Sequence, residues 1–327
     1  MKYAMDLFCG LGGWTMGAER TGAVEVRVAL NHDPRALEAH SSAHPHVQHW
    51  QQAAEEFPFE VLRDHLGGQW LLASPVCKDD SSCGKPAARG TGGNGIVDLA
   101  ALVAQRASNR NTAWSVITAV GALAPEVVLV ENVPGFLKRP TYPAWRLALE
   151  SLGYQVREHV LNAADYGAAT DRPRAIITAS RGRVIDLAPT WGTARRVVAD
   201  CLDPDDHPGN RWADVEAKPP RTRDLIRTKQ REAGLRRGIL NNVGDGVRMR
   251  RVDELAPTFT TKTLTQLMLV DGDRVRILNP AEGARIMGWR DDEVDLSGFT
   301  RGDASLLVGN AIPVDLAQGV VAQAVAA

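Results

Sequence analysis

Through the first half of the chain a short apolar run repeatedly gives way to a cluster of polar, glycine or reactive residues. The apolar run at Met5 closes on Asp6-Leu7-Phe8 and breaks into Cys9-Gly10-Leu11-Gly12-Gly13. Val24 to Leu30 ends in Asn31-His32-Asp33, and Trp70 to Ala73 ends in Ser74-Pro75-Val76-Cys77. The wholly apolar Val127 to Val130 ends in Glu131-Asn132-Val133-Pro134. Tyr154 to Leu161 alternates instead, and leads into Asn162-Ala163-Ala164-Asp165-Tyr166-Gly167. Strands of this length separated by helical segments predict an α/β fold, a mostly parallel sheet with crossover helices. Open sheets of that kind place their ligand crevices just past the strand C-termini, which is where these polar groups fall.

From about Leu187 to Leu255 the periodicity fails and Pro, Asp, Gly and Arg dominate, which predicts a small separate lobe or a set of loops. The chain accordingly divides into 1–186, a lobe over 187–255, and a return to the first domain over 256–327. Asn279, Pro280 and Glu282 read as a helix N-cap, a first-turn proline and an acid, opening a helix through about Met287. Val314 to Ala327 reads as a final Ala-rich helix. Gly90 to Gly95 is a glycine-rich loop.

The glycines at 10, 12 and 13 allow a tight turn and close backbone approach to a ligand at a helix N-terminus, although such a turn also serves purely structural roles. With 327 residues, 44% apolar and 24% charged, the composition is that of a globular protein. No apolar run approaches bilayer length and no signal-peptide pattern follows Met1, so the expected location is the cytoplasm. Four cysteines are too sparse for a disulfide framework, and Cys77 and Cys83 lack a second ligand pair, so no metal is expected. Net charge is only −1, yet Lys218 to Arg237 carries Lys218, Arg221, Arg223, Arg227, Lys229, Arg231, Arg236 and Arg237 against Asp224 and Glu232. That stretch is either a solvated face or a set of phosphate contacts.

Taken in order, Asp6 to Gly13, the Pro75-x-Cys77 turn, Glu131-Asn132-Val133, Arg172-x-Arg174 and Gly309-Asn310-Ala311-Ile312-Pro313 resemble the motifs of DNA (cytosine-5-)-methyltransferases. Asn279-Pro280-x-Glu282-x-Ala284-Arg285-x-Met287-Gly288-Trp289 is similar to the helix that follows the recognition segment in that family. The resemblance covers nearly all of the chain except about 187–255. It implies a Rossmann-like methyltransferase fold with a small target-recognition lobe, S-adenosylmethionine as cofactor, and double-stranded DNA as partner of a monomeric enzyme in restriction-modification or another DNA methylation role. Asp6, Phe8, Gly10, Gly12, Gly13 and Asp33 would surround the cofactor, with Asn310 near its methionine end. A Gly-x-Gly-x-x-Gly dinucleotide turn does not fit, because the third glycine comes too early.

The chemistry asks for the same residue types. C5 of cytosine is a poor nucleophile until a nucleophile adds at C6, and a thiolate at Cys77 suits that step. A free thiol has a pKa of about 8.5, so it needs positive neighbours such as Lys78, Arg172 or Arg174. Glu131, at the end of a buried strand, can hydrogen-bond N3 and the exocyclic amine of the ring. By the resemblance, Arg172 and Arg174 bind the rotated base and a phosphate and steady Glu131. The loop from Gly84 to Gly95, with Lys85 and Arg89, is placed to close over the substrate. Arginines of the lobe can read guanine.

The chain departs from the family pattern at Lys78, Asp79 and Asp80 beside the thiol, at His32, which puts the ribose-binding acid one position late at Asp33, and at Thr170. A tRNA cytosine methyltransferase and an inert DNA-binding homologue are the alternative readings.

Overall fold

The computed structural model describes residues 1–66, 69–75, 112–190, 196–241, 247–258 and 266–327. The elements open with β1 (Lys2–Leu7), α1 (Gly13–Arg20), β2 (Val24–Asn31), α2 (Pro34–Ala43), β3 (Gln48–Gln51), α3 (Arg63–Leu66) and β4 (Trp70–Ala73). They continue through α4 (Thr112–Leu123), β5 (Val127–Asn132), α5 (Tyr142–Ser151), β6 (Gln155–Asn162), β7 (Thr170–Asp171) and β8 (Pro173–Ser180). The seven-stranded sheet has the order β3-β2-β1-β4-β5-β8-β6, with β8 antiparallel to both of its neighbours and every other pairing parallel. This is the mostly parallel α/β sheet expected from the strand pattern.

Period-two alternation divides each strand's side chains between two cores. Met5, Leu7, Val128 and Val130 join Trp145 and Leu149 of α5 on one face. Ala4, Val127 and Leu129 join Trp14 of α1 on the other, with Leu316 and Val320 from the end of the chain. The edge strand β3 was not expected, since Gln48-His49-Trp50-Gln51 carries no apolar alternation and pairs on one side only, with β2.

The region read as a small separate lobe or a set of loops contains regular structure. It comprises β9 (Ala213–Asp214), α6 (Pro220–Ala233), β10 (Arg237–Asn241) and β11 (Met249–Arg250). There follow β12 (Ala256–Pro257), β13 (Leu267–Asp271), β14 (Arg274–Ile277), α7 (Pro280–Ile286), α8 (Arg301–Asn310) and α9 (Val314–Ala326). A five-stranded antiparallel sheet, β11-β10-β13-β14-β9, takes two strands from beyond Leu255, while β12 pairs with β7. One face of this sheet packs Leu240, Met268 and Val270 on Ile226 of α6. The other sends Ile239, Leu267 and Leu269 into a core shared with Trp289 and Val314. α6 escaped the sequence pattern because Ile226 is its one buried residue; Gly234, at φ 63, ends it in the left-handed conformation.

Arg301–Ala326 is long and apolar enough by length and composition to cross a membrane, contrary to the expectation that no run approaches that length. Its apolarity has another use: Pro313 separates α8 from α9, and 72% of the most apolar window is buried inside the fold.

The second sheet is fastened to α7 by a buried ion pair. Arg276 Nη1 and Nη2 donate to Glu282 Oε2 and Oε1 at 2.7 and 2.6 Å, with both residues almost fully buried. Glu282 also closes the capping box with Asn279 and accepts from the Asp203 backbone N–H at 2.9 Å. Removing one partner of such a pair leaves an uncompensated buried charge. Arg276→Met is therefore expected to destabilise the protein by about 3–5 kcal/mol, read as a lower midpoint in urea denaturation.

Candidate active site

The glycine turn after β1 is built largely by packing. Phe8 and Gly10 sit at φ 64 and 55, and Gly12, at φ 88, starts α1. A Cβ on Gly12 would lie 2.9 Å from His44 Nε2 and 3.1 Å from His40 Cδ2. A Cβ on Gly13 would lie 2.3 Å from the Ile312 carbonyl oxygen, and one on Gly17 2.6 Å from Ala317 Cβ. Gly12 and Gly13 thus make room for the protein itself. At Gly10 the nearest atom to such a Cβ is the Phe8 oxygen at 3.8 Å, which leaves space for a ligand.

Asp6 beneath the turn is fully buried. Its Oδ2 accepts from Thr15 Oγ1 at 2.8 Å, while Oδ1 has no partner. A buried acceptor left open in this way fits a ligand that brings a donor. Asp33 is otherwise engaged: it caps α2, and both of its oxygens accept from Arg35, which holds the carboxyl below its usual range. Asn310 lies exposed at the end of α8.

The strand ends are tied together. Ser74 Oγ, at the exit of β4, accepts from Trp14 Nε1 at 3.1 Å, and the Ser74 N–H donates to the Leu7 carbonyl at 3.2 Å. Asn132 Nδ2 on β5 donates to the Pro75 carbonyl at 3.1 Å. The segment that leads to Cys77 is thereby held between the glycine turn and the strand carrying Glu131. Cys77 itself, Lys78, Asp79, Asp80, Cys83 and the Gly84 to Gly95 loop lie outside the described residues.

Glu131 Oε1 receives Arg174 Nε at 2.7 Å, and both side chains are about nine-tenths buried. Arg172 is also buried but takes a different place. Its Nη2 donates to the carbonyls of Gly309 at 2.9 Å and Ala311 at 3.1 Å, on either side of Asn310. The two arginines therefore divide the work: Arg174 steadies the acid, and Arg172 fixes the backbone that carries Asn310. Neither is the exposed arginine that is ordinary for this residue type.

Cys9 and Cys201 are buried free thiols. Burial, with the Asp6 carboxylate adding to it, pushes the Cys9 thiol well up, and burial pushes that of Cys201 up to about 11. Both suit structural roles rather than nucleophilic ones. In the basic stretch, Arg223 and Arg227 pair with Glu216, Lys229 with Glu232, and Arg237 with Asp205. Many of its charges are thus compensated within the lobe. Trp14, Thr15, Asn132 and His40 organise the site yet escaped notice as functional candidates; Asn132, next to Glu131, had the one available signal, its place at a strand end.

The family described as C-5 cytosine-specific DNA methylase matches residues 3–326. The chain belongs to that family. Among curated members it is 27% identical over 310 residues to type II methyltransferase M.HhaI of Haemophilus parahaemolyticus, covering 88% of this chain and 84% of that protein. It is 24% identical over 206 residues to type II methylase M.HgiDII of Herpetosiphon aurantiacus, covering 61% of this chain and 53% of that protein. The matched part spans about half the length of several such relatives. In fold this methylase-family chain is similar to a DNA modification methyltransferase encoded within an E. coli prophage, with a TM-score of 0.69, 20% identity, and coverage of 100% and 99% of the two chains. It also resembles the S. pombe Dnmt2 methyltransferase, with a TM-score of 0.64, 16% identity, and coverage of 99% and 96%. The central sheet and helices are accordingly Rossmann-like.

The packing account separates the glycines. Gly13→Ala should destabilise by about 3 kcal/mol because the Ile312 backbone must move, whereas Gly10→Ala should cost about 1 kcal/mol for its left-handed φ. Thermal denaturation of the two variants checks this.

Proposed function

We propose that this protein transfers a methyl group from S-adenosylmethionine to C5 of cytosine within a short sequence of double-stranded DNA, acting as a monomer. The carrying observation is the buried Glu131–Arg174 pair at 2.7 Å, beside a strand exit tethered by Asn132 to Pro75. Such an acid needs a partner when buried and becomes useful when a base arrives to hydrogen-bond with it.

The target cytosine rotates out of the duplex stack, because C6 is unreachable within it. The Cys77 thiolate adds to C6, forming the C–S bond and moving electron density toward C5, while Glu131 hydrogen-bonds N3 and the exocyclic amine as charge develops on the ring. Arg174 fixes the orientation of Glu131. S-adenosylmethionine, when bound, supplies the methyl from its sulfonium. Loss of the C5 proton to a base or water then expels Cys77 and restores the double bond. Asp6, Phe8, Gly10, Gly12 and Gly13 would hold the cofactor, with Asn310 at its methionine end. Asp33 would act through the rigid cap it forms with Arg35 rather than as a free ribose ligand. The lobe that begins near Leu187 would read the flanking bases, with arginines facing guanine.

Support comes from the residue types and their order, from the open acceptor on Asp6, and from the family to which the chain belongs. The test is a duplex carrying 5-fluorocytosine, from which the C5 substituent cannot leave as a proton. With S-adenosylmethionine present, the wild-type protein should form a covalent adduct that survives denaturation, and Cys77→Ala should form none. A wild-type protein that binds cofactor and DNA without an adduct would overturn the assignment of Cys77. Glu131→Gln should lower the rate of methyl transfer roughly a hundredfold or more while leaving cofactor affinity unchanged. Radiolabelled methyl incorporation and a cofactor-binding titration check the two halves of that expectation.

A further inference from the structure

A histidine cluster lies directly beneath the glycine turn. His40 of α2 and His44, which caps its C-terminus, are buried, and β3 adds the half-buried His49. His40 Nδ1 is 2.8 Å from His49 Nε2, and His40 Nε2 is 3.0 Å from Thr15 Oγ1. Thr15 in turn donates to Asp6 Oδ2 at 2.8 Å.

Hydrogen-bond accounting gives this chain a direction. The Thr15 hydroxyl has one hydrogen and gives it to Asp6, so it must accept from His40, which fixes the proton of His40 on Nε2. His40 Nδ1 is then an acceptor, filled by His49 Nε2–H. The neutral relay runs His49 to His40 to Thr15 to Asp6, with each bond satisfied. It also shapes the turn, because His40 Cδ2 and His44 Nε2 fill the space where a Gly12 side chain would be.

We propose that His40 is a positioning residue for cofactor binding: its neutral imidazole, oriented by His49, holds Thr15, Asp6 and the Gly12 turn in the binding arrangement, and a proton gained by this relay weakens the binding of S-adenosylmethionine. The inference rests on the cofactor reading above. Two physical effects act together. An added proton on His40 Nδ1 faces the N–H of His49, so the directed chain cannot persist unless the His49 ring moves its own proton off Nε2. It also places positive charge beside Asp6, under a ligand whose sulfonium and ammonium are themselves cationic.

The groups facing His40 are Asp6 from β1, Thr15 and Glu19 from α1, His44 at the C-cap of α2 and His49 from β3. His44 Nδ1 lies 3.0 Å from Glu19 Oε2 and His46 Nε2 2.7 Å from Glu19 Oε1, so Glu19 serves that pair rather than His40. Burial lowers His40, and burial with the neighbouring His40 brings His49 down to about 4. With folded values below the ordinary 6.5, the neutral relay is intact above that pH and is lost as pH falls through the folded values.

The test is calorimetric titration of the full chain with S-adenosylmethionine and with S-adenosylhomocysteine, which lacks the sulfonium charge, from pH 8 down to the acid limit of folding. For the wild type, the dissociation constant of S-adenosylmethionine should rise by up to about tenfold per pH unit in the acid range, and that of S-adenosylhomocysteine by less. His40→Gln keeps a donor toward Thr15 but cannot titrate there, so its profile should be flatter. Thr15→Val should bind more weakly at every pH. If His40→Gln fails to fold, the half-exposed His49→Gln carries the same comparison. A flat wild-type profile, or equal slopes in wild type and the histidine variant, overturns the relay. Failure of either ligand to bind at any pH overturns the cofactor reading itself.

Discussion

Gly13 meets the Ile312 carbonyl where a single added carbon would lie 2.3 Å from the oxygen, and four residues on Gly17 meets Ala317 in the same way. This contact joins the first helix to the last segment of the chain across nearly the whole sequence. Without it the glycine turn would lose the backbone of Ile312 that backs it. The ion-pair network around Arg20, which reaches Glu293, Asp315 and the Gly288 carbonyl, locks the same junction. The extended core shared by α1, α7, α8 and α9 is in this sense the support of the site, although it contributes no reacting group.

On that support the strand ends are tied together. Trp14 reaches Ser74, Asn132 reaches Pro75, and Arg174 reaches Glu131, each by a hydrogen bond between elements that are distant in sequence. Arg172 closes the assembly from the other side by holding two carbonyls of the turn that carries Asn310. These contacts are buried or partly buried polar interactions, and removing one partner of a buried one would leave an unsatisfied group behind, which favours a rigid arrangement. Rigidity is useful where reacting atoms must meet in one geometry.

Strands of the first domain were legible where a wholly apolar or alternating run ends abruptly in polar residues; Trp70 to Ala73 forms the strand the pattern predicted, and the Asn279 cap opens α7 as expected. The polar strand β3 and the basic helix α6 were illegible for the same reason in reverse, since their stability comes from edge pairing and from one buried isoleucine. The second sheet could not be bounded at Leu255 because the apolar β13 reads like a strand of the first domain, while β14 alternates arginine with apolar residues and announces no change of domain. At the site, residue types pointed to Glu131 and Arg174, but the separate tasks of Arg172 and Arg174 depend on which carbonyls lie nearby, which one-dimensional spacing does not encode. The glycines were read as places where backbone approaches a ligand, whereas at Gly12 and Gly13 the structure shows the close approach of the protein's own histidines and backbone.

The central claim is that these joined strand ends methylate cytosine in DNA. The most direct measurement is bisulfite sequencing of DNA from cells expressing the wild-type chain, compared with cells expressing the Glu131→Gln variant. The account predicts 5-methylcytosine confined to one short motif in the first and nearly absent in the second. Unmodified DNA alongside methylated tRNA cytosines, or no methylation of either despite cofactor binding by the purified protein, would contradict it.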